Sequence, residues 1–78
     1  MEKSGTLDSL RPGQQAEITR LDAPQGERSR LMALGFVPGA PVRVLLESPW
    51  GDPVAYRICG AVIALRRADA RQIGIKEL

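Results

Sequence analysis

Apolar residues in this chain fall into short runs of two periods, separated by clusters of glycine and proline. In "QQAEITRL", Ala16 and Ile18 alternate with Gln15, Glu17 and Thr19, the pattern of a strand with one buried face. "VRVLLE" alternates again with Val42, Val44 and Leu46 on one side, and "VAYRIC" does so with Val54, Tyr56 and Ile58. "AVIALR" and "IGIKEL" complete a set of about five strands, the last with Ile73 and Ile75 on one face. One stretch reads differently. "ERSRLMALG" is rich in strong helix formers, brings Leu31 and Leu34 onto one face, and stops at Gly35 in the left-handed position past a helix end. Phe36 is then the apolar residue expected to fold back on the last turn.

The punctuation is as informative as the runs. "RPGQ" puts Pro12 and Gly13 at the two central positions of a type II turn, and "VPGA" repeats that chemistry with Pro38 and Gly39. "SPWGDP" is the densest turn cluster, with Gly51, Asp52 and Pro53 reversing the chain between two strands. Thr6 is placed to cap a short turn carrying Leu7 and Leu10, Cys59 continues an alternating strand as a buried or half-buried thiol, and "RADARQ" is long enough only for a 3₁₀-type turn. Residues 1–6 show no pattern and read as a mobile start, leaving 7–78 as a single domain. Five short strands on so few residues cannot leave a flat sheet open on both faces, so they must curl. The order of elements predicts a mainly β fold: a small SH3-like barrel of about five strands with one short helix between the first and second. An OB-type barrel is the rival, but its helix falls later in the chain.

Composition narrows the function without naming it. The chain of 78 residues is 44% apolar and 26% charged, as expected of a folded globular protein. Its single cysteine cannot close an internal disulfide, and no apolar run approaches the ~18 residues of a membrane span, so a cytoplasmic location is expected. A formal charge of +2 is too small to argue by itself for nucleic acid.

The motifs "LRPGQ", "RLMALGFVPGAPVRVL" and "SPWGDPVAYRICGAVIALRRADARQIGI", in that order, resemble the FeoA family of bacterial ferrous-iron uptake, across roughly residues 7 to 77. The FeoA domain in turn is similar to the C-terminal SH3-like domain of iron-dependent repressors. The resemblance implies an accessory protein acting on the cytoplasmic region of the membrane GTPase-permease FeoB, touching the membrane only through that partner and having no catalysis of its own.

The residues themselves offer little chemistry. There is no histidine, and Asp22, Glu27, Glu47, Asp52 and Asp69 show no paired spacing, so no catalytic residue, cofactor site or metal site is assigned. If the protein works by contact, Trp50 at a loop tip is the leading anchor, although it could instead fold over its hairpin as a lid. Met32 and Leu31 are further candidates, because both cannot face a small core as fully as Leu34, and Leu45 is expected on the outward register of its strand, where it could serve a homo-oligomer. Arg28 joins them as an exposed helix residue; with Arg30 it invites comparison with an arginine finger, against the plainer reading of two solvated side chains. Two other classes stay open: a nucleic-acid-binding barrel using Arg57, Arg66, Arg67 and Arg71 with Tyr56 or Trp50 for stacking, and a metal-responsive regulator.

Overall fold

The computed structural model describes residues 4–78. The elements are β1 (Ser4–Thr6), a 3₁₀ turn (Leu7–Ser9), β2 (Gln15–Leu21), α1 (Gln25–Ala33), β3 (Pro41–Glu47), β4 (Val54–Ile58), β5 (Ala61–Leu65), the one-turn helix α2 (Arg67–Ala70) and β6 (Ile73–Glu77). All pair antiparallel in one six-stranded sheet of order β1-β6-β2-β3-β4-β5. Laid flat, such a sheet would span roughly 24 Å across its strands, at about 4.8 Å per spacing. Yet Leu65 of β5, Ile73 and Ile75 of β6 and Leu7 beside β1 share one apolar cluster with Tyr56 and Phe36. The sheet therefore curls until its two ends face the same interior.

Three expectations change. Ser4–Thr6, read as part of a mobile start, forms β1 against β6, with Gly5 opposite Ile75; residues 1–3 of that start lie outside the described residues. The extra strand makes six and places α1 between the second and third. Thr6 has no capping bond to the backbone, and its hydroxyl donates instead to the Asp8 carboxylate. "RADA" closes as a full α-helical turn, with Ala70 N–H donating to Arg66 O at 3.0 Å.

The junction after α1 fixes how the helix meets the sheet. Gly35 has φ +112°, Gly35 N–H donates to Met32 O at 3.0 Å, and Phe36 N–H donates to Leu31 O at 3.0 Å. These are the two bonds of a Schellman cap, and the apolar pair that accompanies it is Leu31 with Phe36, both fully buried. Leu34 occupies the capping position itself and is only half-buried, so Leu31 and not Leu34 is the residue the helix commits to the core. The turn that follows is closed by Ala40 N–H to Val37 O at 3.0 Å, with Gly39 at φ +91°.

Gly35 also touches the far hairpin. A Cβ there would lie 3.1 Å from Cys59 Sγ and 3.3 Å from its Cβ. Cys59 has φ +49° and Gly60 φ +77°, so the two form the tight turn between β4 and β5, with Ile58 opposite Ala61. The thiol, expected buried or half-buried, belongs to an exposed residue because Cys59 sits in the turn and not on the strand. Gly35→Ala should lower stability by about 1–3 kcal/mol through its positive φ, more than an exposed-surface alanine change, and a drop of about 4–8 °C in Tm per kcal/mol is the expected reading in thermal unfolding.

Candidate interaction surface

The strongest local framework outside the core surrounds Arg67. Its backbone N–H donates to Asp52 Oδ1 at 3.0 Å, fixing the start of α2. Its guanidinium donates to Gly51 O through Nε, to Asp8 O at 3.0 Å and to Glu47 Oε1 at 2.7 Å. One planar cation thus ties the β3–β4 loop, the 3₁₀ turn and the end of β3 together, a task suited to the rigid fork of arginine. The loop is closed by Gly51 N–H to Ser48 O at 2.8 Å, with Pro49 and Trp50 at its centre and Gly51 at φ +80°. Trp50 is 89% exposed on this anchored turn. It does not fold back as a lid.

Beneath the same arginine lies Tyr56, buried and edge-on to Phe36 at 6.4 Å between ring centres and 88° between planes. Burial pushes its phenol up to about 12; Arg67 pulls it down, while Asp8, Glu47 and Asp52 push it up. A ring so enclosed cannot stack a base. Arg67 is committed to the loop and Arg71 lies 3.7 Å from Asp8, whereas Arg57, Arg66 and Trp50, the other residues of the nucleic-acid reading, are exposed.

The outward face of β3, β4 and β5 is set by register. Leu46 lies opposite Ala55, and Ala55 opposite Ala64; two residues along, Arg43 lies opposite Arg57, and Arg57 opposite Val62. These side chains share one face, so an apolar row leads away from the Trp50 loop and a cationic row follows it. Leu46 is 59% and Val62 57% exposed. Beside the cationic row is a shallow groove of about 350 Å³ lined by Gln15, Arg43, Arg57, Cys59 and Gly60.

Several residues singled out in the sequence sit elsewhere. A bulge between Val44 and Leu46 inserts one residue against β4, so Leu46, expected in the core, turns outward and Leu45, expected outside, becomes half-buried. Leu31 is core and cannot be a contact residue without unfolding. Met32 is 42% exposed and Arg28 is exposed without an ion pair among the described residues, whereas Arg30 reaches Asp69 at 3.4 Å. The helix end rests against the Cys59 turn, one β4 length from the Trp50 loop, so these two groups of residues are not brought together. Among the described residues no group of three histidine, cysteine, aspartate or glutamate side chains could hold a metal.

Comparison with known proteins gives one family and one shared fold. The family model of the FeoA domain matches residues 5–77. A Fe(2+) transport protein A/Fe(2+) transporter FeoB fusion protein of Porphyromonas gingivalis is 39% identical over 70 residues, covering 90% of this chain and 8% of that one. This chain thus spans only a small part of its curated relative. The solution structure of FeoA from Chlorobium tepidum is 38% identical, with a TM-score of 0.88, covering 94% of this chain and 70% of that one. The crystal structure of Stenotrophomonas maltophilia FeoA complexed with zinc, a prokaryotic SH3 domain protein, is 28% identical with a TM-score of 0.79, over 90% of this chain and 87% of that one. The repressor IdeR of T. acidophilum, at 22% identity and a TM-score of 0.83 over 96% of this chain and 34% of that one, shares the fold. The architecture is accordingly SH3-like, with six strands.

Arg67→Ala should lower Tm and reduce the fluorescence anisotropy of Trp50, the sole tryptophan, as the loop loses its anchor. Arg67→Lys should recover only part of both, since an ammonium lacks the planar fork. Unchanged anisotropy in Arg67→Ala would show that the loop is held otherwise.

Tyr56, the sole tyrosine, should ionise near pH 12 in an ultraviolet titration of the folded protein. Its folded pKa stands above the ordinary 10.0, so its contribution to stability is complete below pH 10 and is lost as pH climbs from 10 to about 12.

Proposed function

The chain belongs to the FeoA family, associated with ferrous-iron transport, and on that premise we propose that it is a non-enzymatic accessory protein that docks on the cytoplasmic region of FeoB and modulates it. The observation carrying this reading is the fusion relative, in which a homologous segment and the transporter are one polypeptide. A covalent link raises the effective concentration of two modules that must meet, and is useful only if they engage. The polar framework around Arg67 is engaged in holding a loop.

Docking needs apolar area that folding does not use. Trp50 supplies a large aromatic surface on a turn already ordered by Arg67, so little loop entropy is lost on binding. Leu46, Ala55 and Ala64 extend that surface along the sheet, and Met32 with Arg28 on α1 forms a separate, smaller patch. A cytoplasmic location follows from this reading, because the contact is with the cytoplasmic region of the permease. No helix among the described residues is long and apolar enough to cross a membrane.

Purified chain should retain the soluble cytoplasmic domains of its cognate FeoB in a pull-down. Trp50→Ala and Leu46→Asp should each weaken retention about tenfold or more with Tm nearly unchanged, since neither side chain is in the core. Leu31→Ala should instead destabilise the fold by about 2–5 kcal/mol as a core cavity. Absence of binding in every nucleotide state of the partner would refute the proposal.

A further inference from the structure

The two edges of the sheet are built differently. β1 is three residues long and carries Ser4, Gly5 and Thr6. β5 is five residues long, all apolar, "AVIAL", and pairs with β4 in unbroken register from Ala61 to Leu65. No strand lies beyond it, and no backbone group of residues 61–65 bonds to any loop or turn among the described residues. Edges of this kind are ordinarily blunted by charge, proline, a bulge or a covering segment. Within β5 none of these is present.

On the outward face beside it the charges are of one sign. Arg57 points outward beside Val62, Arg43 lies directly opposite Arg57, and Arg66 follows the strand's last residue. None of the three guanidiniums has a carboxylate partner among the described residues, while Arg20, Arg30, Arg67 and Arg71 all do. Like charges directly opposite each other across a strand pair destabilise a sheet. An arrangement that opposes folding and leaves unpaired cations on the face next to an open apolar edge suits a ligand that brings the anions.

We propose that the free edge of β5 receives an extended acidic segment of a partner protein as a seventh strand, its carboxylates meeting Arg57, with Arg43 one strand farther back adding to the positive field. A strand added there would lie roughly 10 Å from β4, two strand spacings, so that a guanidinium from Arg57 reaches over Val62 toward a glutamate on the incoming chain. Main-chain bonds to β5 supply affinity without sequence preference, and the cationic row selects charge. This deepens the docking reading and rests on it for the identity of the partner, but not for the manner of binding.

The probe is the capped peptide Glu-Val-Glu-Val-Glu-Val, with Lys-Val-Lys-Val-Lys-Val as its counterpart, added to isotope-labelled protein near 0.1 M salt. The acidic peptide should slow amide exchange within residues 61–65 and shift their resonances, and its affinity should fall as salt rises. Arg43→Glu with Arg57→Glu should weaken it at least tenfold and improve binding of the basic peptide. Arg57→Glu alone should give the same change in smaller degree, should the double variant fold poorly. Equal binding of both peptides, shifts confined to other strands, or exchange protection at 61–65 that grows with protein concentration without peptide would overturn the proposal, the last by making a second copy the occupant. If the FeoB domains bind the double variant as well as they bind the parent chain, the docking reading stands and this one falls.

Discussion

A chain of 78 residues has material for one apolar cluster, and the cluster here contains no charged side chain. Every element contributing to it must therefore turn one face to the same small interior, and a six-stranded sheet can do so only by curling. The curl is achieved locally. A bulge near Leu45 bends β3, a second irregularity between Ile18 and Arg20 bends β2, and α1 with its Schellman cap closes one open end with Leu31 and Phe36. The opposite end is closed by the 3₁₀ turn carrying Leu7 and by Arg67 above Tyr56.

That economy decides where function can reside. With the inner face consumed by packing, surface chemistry is confined to the outward rows of the sheet, the loop tips and the exposed side of one helix. Arg67 links the two domains of concern: it is a structural cation at the rim of the core, and it is the reason the loop bearing Trp50 has a defined shape. Its bonds to Gly51, Asp8 and Glu47 join segments distant in sequence. An adaptor of this size gains more from holding an aromatic anchor in place than from adding area, since ordering a loose loop during association would offset much of the contact energy.

Much of this was legible in residue order. The alternation of Ala16 with Ile18, of Val54 with Tyr56 and Ile58, and of Ile73 with Ile75 marks strands whose inward faces are those observed. Gly35 and Phe36 announce the helix stop, and the proline-glycine pairs announce turns. What could not be read were features arising between distant segments or against local preference. β1 has no alternation because only three residues pair. Cys59 takes a positive φ because the hairpin must close in two residues, although nothing about cysteine favours that conformation. The Arg43–Arg57 opposition, the role of Arg67 and the exposure of Val62 exist only once β3, β4, β5 and α2 are side by side. Leu45 and Leu46 exchanged roles because an alternation rule has no way to register an inserted residue.

That inserted residue separates chain length from facing. Beyond Leu45 each side chain of β3 keeps the orientation set by its partner on β4, Leu46 by Ala55 and Glu47 by Val54. Excising Leu45 would straighten the ladder yet leave both of them where they are. In evolutionary terms this is a position where an indel is silent for the surface that follows it, so homologues differing by one residue here can present the same outward chemistry on differently curved strands.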